Sequence, residues 1–244
     1  MHWSHSFYER QDALTGCSHA PIHPFHTALA ARITAHRGRA GSLLELGAGG
    51  GQFATAAALL GHGVTALDLM TGAGEHTRFL AAQHGVTVQT LTGDFYTLDP
   101  GGPFDTICYW DGFGIGEDDE QRQLLSRVAG WLALDGVAYV EVYTPWYWAR
   151  HAGFTRRTER YTQTYGFDAD GCRMLDTYAP RGEEPFTQFL RCYSPADLRL
   201  LLCGTGLTLA EVWPGGAYAP DAGVYHPEAP LGEAMTFAAV LTPA

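Results

Sequence analysis

An α/β fold on a mostly parallel sheet is predicted by three observations. Leu43 to Leu46 is a short apolar run ending in glycines, followed by an alanine-rich helical stretch from Phe53 to Leu60 and then by VTALDL at 64–69. A strand, a glycine turn, a helix and a second strand in that order require a crossover connection, and crossovers make parallel neighbours. The same alternation continues to residue 143 and, after a break, resumes at Ser194, the pattern of a layered α/β domain.

Each element follows from local periodicity. Residues 25–36, FHTALAARITAH, place Phe25, Leu29 and Ile33 at helical spacing before the first strand. Beyond the second strand the pattern predicts a helix near 74–84, strands at 86–91 (VTVQTL) and 105–110 (DTICYW), and a helix from about 118 to 132. In that last helix Leu124, Leu125, Val128, Trp131 and Leu132 share one face. GVAYVEVY at 136–143 reads as the fifth strand. Residues 144–193 then turn aromatic and polar, with Thr-, Arg- and Tyr-rich stretches that predict a small antiparallel insertion. Ser194-Pro195 signals a helix reaching Cys203, and strands are expected at 207–213 and 235–241. No repeat or long linker interrupts this order, so 1–244 reads as one domain, with residues 1–40 as an N-terminal helical cap and 144–193 as a substrate-side insertion.

Composition removes several classes of partner. The net charge is −11, with fifteen arginines and no lysine, which disfavours a face that neutralises phosphates of nucleic acid or an anionic membrane. No apolar run approaches the roughly 20 residues that span a bilayer. The opening MHWSHSFYERQ lacks the basic start and apolar centre of a signal peptide. Five widely spaced cysteines without a C-x-x-C pair suit a reducing compartment, so a cytoplasmic location is expected. The cluster His19, His23, His26 is interleaved with Pro21 and Pro24 and lacks a completing carboxylate pattern, so no metal site is expected. The acidic run Glu117–Glu120 begins a helix, where carboxylates complement the macrodipole.

The segment Glu45-Leu46-Gly47-Ala48-Gly49-Gly50-Gly51 lies at a strand-to-helix junction, where missing side chains let the backbone approach a ligand. By itself this spacing leaves two cofactors open, because Gly49-x-Gly51-x-x-Ala54 also satisfies the dinucleotide fingerprint. Asp68, ending the second strand with Leu69 after it, suits ribose hydroxyls in either case. Asp94, in Gly93-Asp94-Phe95 past the third strand, adds an acidic and aromatic site suited to an adenine.

Taken in order, these motifs resemble those of class I S-adenosylmethionine-dependent methyltransferases over residues 25–241. The resemblance implies that Glu45, Gly47, Ala48, Gly49 and Gly51 form the first-strand cofactor loop, and that Asp68 with Leu69 holds the ribose. It further implies that Gly93, Asp94 and Phe95 meet the adenine. The stretch Tyr109-Trp110-Asp111-Gly112-Phe113-Gly114 is similar to the one flanking the methionine part, and Arg191-Cys192-Tyr193-Ser194-Pro195 to a segment of small-molecule members, with Asp197 where Glu is common. The implied fold is Rossmann-like: seven strands, mostly parallel, the last antiparallel, with helices on both faces.

Methyl transfer is an in-line displacement in which orientation does most of the work. A base for an oxygen or nitrogen nucleophile would come from His151, Asp111 or Glu141, and none of the three stands out. Tyr8, Tyr143, Trp146 and Arg191 are the candidate substrate contacts; the run Tyr143–Trp148 would serve as an aromatic wall or simply as packing. The expected partner is a small-molecule methyl acceptor, and a homodimer is compatible with the reading. Two alternatives stay open: a protein of this fold that binds S-adenosylmethionine for another reaction, and an NAD-dependent oxidoreductase.

Overall fold

The structure, a computed structural model, describes residues 2–244; Met1, counted in the N-terminal cap, lies outside them. The chain opens with α1 (His2–Thr15), a 3-10 turn (Cys17–His19) and α2 (Pro24–Arg37). The alternating unit follows as β1 (Ser42–Leu46), α3 (Gln52–Leu59), β2 (Gly63–Asp68), α4 (Thr71–Gln83) and β3 (Val88–Thr92). It continues through β4 (Phe104–Phe113), α5 (Asp118–Trp131) and β5 (Leu132–Tyr143). The insertion contains α6 (Pro145–Arg150), β6 (Thr155–Arg157), β7 (Tyr161–Asp168), β8 (Arg173–Pro180) and β9 (Phe186–Arg191). The chain closes with α7 (Pro195–Leu201), β10 (Leu207–Pro214), a ribbon of β11 (Ala217–Ala219) and β12 (Val224–His226), and β13 (Thr236–Pro243).

The main sheet has the order β3-β2-β1-β4-β5-β13-β10. Pairings among β1 to β5 are parallel, and β13 runs antiparallel to both β5 and β10. The expected fold class therefore holds, including the antiparallel last strand. Strand alternation sends side chains to two faces. Leu44 and Leu46 of β1 join Leu124, Leu125 and Val128 of α5 and Leu198 and Leu201 of α7 on one face. Leu43 joins Ala30 and Ile33 of α2 and Phe53, Ala54 and Ala57 of α3 on the other. Two-sided cover of this kind is what makes a parallel sheet nearly continuous in apolar residues.

Three elements depart from the expectations. Helix α4 starts at Thr71, three residues early, although Gly72 and Gly74 are poor helix formers. Gly74 is buried, and a Cβ there would lie 3.6 Å from Thr90 of β3, so close packing on the sheet outweighs propensity. The insertion begins with α6, carrying Pro145 in its first turn, before its four antiparallel strands β6-β7-β8-β9. The ribbon β11/β12, inside the long connection from β10 to β13, is absent from the sequence expectations.

Among the described residues, no helix is long and apolar enough to cross a membrane.

Gly51 fixes the start of α3: its φ is +78°, and a Cβ would sit 2.4 Å from Cγ2 and Oγ1 of Thr77 on α4. Gly51→Ala should lower unfolding free energy by about 2–4 kcal/mol, the sum of left-handed strain and overpacking. Urea denaturation followed by circular dichroism measures this.

Candidate active site

Parallel pairing brings the ends of β1, β2 and β4, and the turn after β3, to one edge of the sheet. There the Gly49 N–H donates to Asp68 Oδ2 (2.7 Å), and the Met70 N–H donates to Asp68 Oδ1 (2.7 Å). Asp68 thus ties the glycine loop to the end of β2 while each oxygen keeps a lone pair. Burial pushes its carboxyl up, and the N–H groups of Met70, Gly49 and Leu69 oppose that shift. The Gly93 N–H donates to Asp68 O (2.9 Å), linking the next turn to the same strand. Asp94 Oδ1 accepts from the Tyr96 N–H (2.8 Å), so this residue also shapes its own turn. Arg127 of α5 clamps that turn from below by donating to Phe95 O (2.9 Å) and Leu98 O (2.6 Å).

These loops line a cavity of about 270 Å³ whose wall includes Gly47, Gly49, Asp68, Leu69, Gly93, Asp94, Phe95, Trp110 and Asp111. Ser4, Tyr8, Gln11 and Asp12 of α1, with Cys17 and Ser18, close it on the other side. The cap is held by contacts across to the insertion. The Gln11 Nε2 donates to the Tyr178 hydroxyl (3.1 Å), Arg10 donates to Glu184 O (2.6 Å), and the Tyr8 hydroxyl donates to Gln188 Oε1 (3.3 Å).

A second compartment of about 590 Å³ shares Gln11, Cys17 and Asp111 with the first. The junction is built by an irregularity in β4. Its pairing with β5 slips between Tyr109 and Phe113, and Asp111 takes a left-handed φ of +53°. Such a bulge re-aims a side chain at a strand end. The freed Asp111 N–H donates to Glu141 Oε2 (3.0 Å), and the Tyr143 hydroxyl donates to Asp111 Oδ1. Glu141 Oε1 accepts in turn from the Thr236 hydroxyl (2.9 Å). Asp111 has accessible surface, but protein surrounds that surface within the cavity. Desolvation accordingly pushes the carboxyls of Asp111 and Glu141 up, with the Asp111 charge adding to the effect on Glu141.

The insertion contributes a third carboxylate. Along β8 Met174, Asp176, Tyr178 and Pro180 are buried in alternation, so Asp176 occupies a core-face position and is 5% exposed. It accepts from Gln163 Nε2 (2.9 Å) on β7 and from Gln188 Nε2 (3.4 Å) on β9. Burial, its main cause, pushes its carboxyl up to about 6 against these hydrogen bonds.

The cavities bring together many of the residues singled out from the sequence. Gly47, Gly49, Asp68, Leu69, Gly93, Asp94, Phe95, Trp110, Asp111 and Tyr8 line the first compartment; Asp111, Glu141 and Tyr143 line the second. Glu45, Ala48 and Gly51 lie behind the wall: Glu45 is 3% exposed, and burial, then the nearby Asp68 charge, pushes its carboxyl up. Arg191 departs from its expected substrate contact. Its guanidinium donates to Asp118 Oδ1 (3.1 Å) and Cys192 O and lies over the Tyr193 ring, which commits it to joining β9 to α5. Trp146 lines neither compartment and packs on the cluster around Tyr143 and Trp148. His151 faces a separate chamber of about 470 Å³, stacked on Tyr147 and bonded to Tyr147 O (2.8 Å); it lines neither compartment containing Asp111.

Residues 43–136 match a family model described as a methyltransferase domain. Over that stretch the chain is similar to methyltransferase domains. Its fold is shared by an S-adenosylmethionine-dependent methyltransferase from Clostridium acetobutylicum, with 13% identity, TM-score 0.73 and 99% of both chains covered. It is also similar to the CcbJ methyltransferase from Streptomyces caelestis, at 21% identity and TM-score 0.71 over 93% of this chain and 92% of that one. A third similar structure is a Burkholderia thailandensis 1,6-didemethyltoxoflavin-N1-methyltransferase, at 20% identity and TM-score 0.60, covering 99% and 85%. No curated protein sequence matches this chain.

The methyltransferase class uses S-adenosylmethionine, and the donor set of the first compartment fits it. A Cβ on Gly49 would have nothing within 4 Å and would project into space kept open by the loop. The Trp110 Nε1–H is buried without a partner at the wall, and Asp68 offers two oriented oxygens. The sheet order, with β13 antiparallel between β5 and β10, differs from the 3-2-1-4-5-6 order of the doubly wound dinucleotide-binding sheet.

Because the carboxyl of Asp176 rises from 3.8 to about 6 on folding, folded protein binds more protons than unfolded between those values, and stability falls as pH rises through them. Asp176→Asn lacks this loss. Its stability relative to the unsubstituted protein should increase by about 2–3 kcal/mol between pH 4 and pH 8, at 1.36 kcal/mol per pKa unit, as read from urea unfolding at the two pH values.

Proposed function

We propose that the protein transfers the methyl group of S-adenosylmethionine to a nitrogen or oxygen of a small molecule. The observation that carries this reading is the cavity in two compartments joined at Asp111, one walled by the glycine loop and Asp68 and the other by the insertion. When bound, the cofactor supplies an electrophilic methyl on a sulfonium sulfur. The chain's own residues do the rest. Gly47 and Gly49 admit the cofactor to the sheet edge, and Asp68 accepts from its ribose hydroxyls. Asp94 and Phe95 offer a polar edge and a ring face to the adenine. Asp111, Glu141 and Asp176 are the groups able to hold or take a proton from the acceptor. Tyr8 and the rest of α1 cover the cavity and exclude water from it.

Similar structures include a glycopeptide N-methyltransferase complexed with sinefungin and a mitomycin 7-O-methyltransferase. They support a small-molecule acceptor, in specialised metabolism, for this chain too. The strongly negative charge supports the same reading over nucleic acid, and five cysteines without a C-x-x-C pair support a cytoplasmic setting.

Calorimetric titration with S-adenosylhomocysteine, NAD and NADP tests the proposal. Micromolar binding of S-adenosylhomocysteine alone is expected. Asp68→Asn should weaken it about 10- to 100-fold, as expected for charge-assisted bonds to two hydroxyls. Preference for a nicotinamide cofactor, or no binding of any of the three, overturns it.

A further inference from the structure

The acceptor compartment has a marked charge imbalance. Asp111, Glu141 and Asp176 line it, and among the described residues the one cationic side chain in its wall is Arg156, which is exposed. Asp111 also borders the cofactor compartment, where a carboxylate could answer the sulfonium charge. Asp176 does not: it lines the acceptor compartment alone. It stands on β8 at a position where alternation calls for an apolar side chain, steadied by two glutamines that leave its charge uncompensated. A buried carboxylate without a counter-charge is costly and is kept where something else supplies the charge. The cavity and its junction with the cofactor loops define the site; the carboxylates define which acceptor it takes.

We infer that the acceptor is an amine, bound as its ammonium among the carboxylates of Asp111, Glu141 and Asp176, against the tyrosine faces of the insertion. This rests on the methyltransferase reading of the same site. Tyrosine rings suit a cation by their negative faces, and Tyr161, Tyr165 and Tyr178 stand in the same wall. The protein's own phenols argue against a hydroxyl acceptor. Burial first, and then the charges of Asp111 and Asp176, push the hydroxyls of Tyr143, Tyr165 and Tyr178 up, so a phenolate is disfavoured where the acceptor would need one. An ammonium instead gives one proton to a carboxylate of the cluster and becomes a neutral amine. Its lone pair forms the nitrogen–carbon bond as the sulfur–carbon bond breaks, the bonding pair staying on sulfur. The product nitrogen carries the positive charge, and the proton leaves from the carboxylate to solvent.

Three probes of nearly equal shape test this on the full chain with S-adenosylhomocysteine bound: phenethylamine, phenethyl alcohol and phenylacetate, titrated calorimetrically at pH 8. Phenethylamine should bind about tenfold or more tightly than either of the others, as an ion pair with hydrogen bonds requires. Asp176→Asn should remove that preference while leaving S-adenosylhomocysteine affinity unchanged, which also shows that the variant folds. Arg156→Ala, at an exposed position, should leave phenethylamine binding intact or tighter. Equal binding of the three probes, no binding of any, or tighter binding of the alcohol or the acid overturns the amine inference while the proposed function stands. Failure of S-adenosylhomocysteine itself to bind overturns both.

Discussion

Parallel pairing of β1 with β2 and with β4 is the constraint from which the rest of the molecule follows. Strands joined by crossovers all end at one edge, so the residues that terminate them gather there whatever their separation along the chain. Asp68, Asp94 and Asp111 meet at one cavity for this reason. The hydrogen bonds of Asp68 to Gly49 and Met70 then stiffen the edge locally.

Against that regular frame, the slip in β4 at Asp111 is the irregularity at the junction of the two compartments. A regular strand would send successive side chains to opposite faces and keep each N–H in the ladder. Here the left-handed Asp111 releases its N–H to Glu141 and meets the Tyr143 hydroxyl, joining three side chains from two neighbouring strands. Glu141 therefore holds the Asp111 backbone, a contact that its residue type alone does not suggest. Thr236 on β13 completes the arrangement, so the antiparallel strand also supports the site.

The insertion and the cap act as a second layer over the sheet edge. Phe7 packs edge-on against Tyr178 and Phe186, and Arg10 lies over the Phe186 ring. The side chains of α1 thus contact the insertion while others on the same helix face the cofactor compartment. The stability of the cap is coupled in this way to the walls of both compartments. The ribbon β11/β12 brings Tyr225 to the acceptor side, a contribution from a segment far from every cofactor motif.

Much of this was legible in the sequence because it depends on local rules. The apolar run, glycine turn and helix at 43–60 report a crossover directly, and carboxylates at strand ends report a ligand edge once strands are parallel. Asp68, Asp94 and the glycine loop could be named from spacing alone for that reason. Arg191 and His151 could not be placed, since an exposed-looking charged residue has the same local signature whether it faces a cavity or, like Arg191, bridges to Asp118. Asp176 escaped notice because RMLDTYAP shows no strong pattern until pairing with β7 and β9 buries its alternate residues. Composition and periodicity by themselves determined the α/β class and the glycine-loop edge, while the strand order was only implied by the family resemblance and came from the structure. The charge of the acceptor compartment, the bulge at Asp111 and the partners of each carboxylate were decided only by tertiary structure, because they depend on side chains brought together from strands distant in sequence.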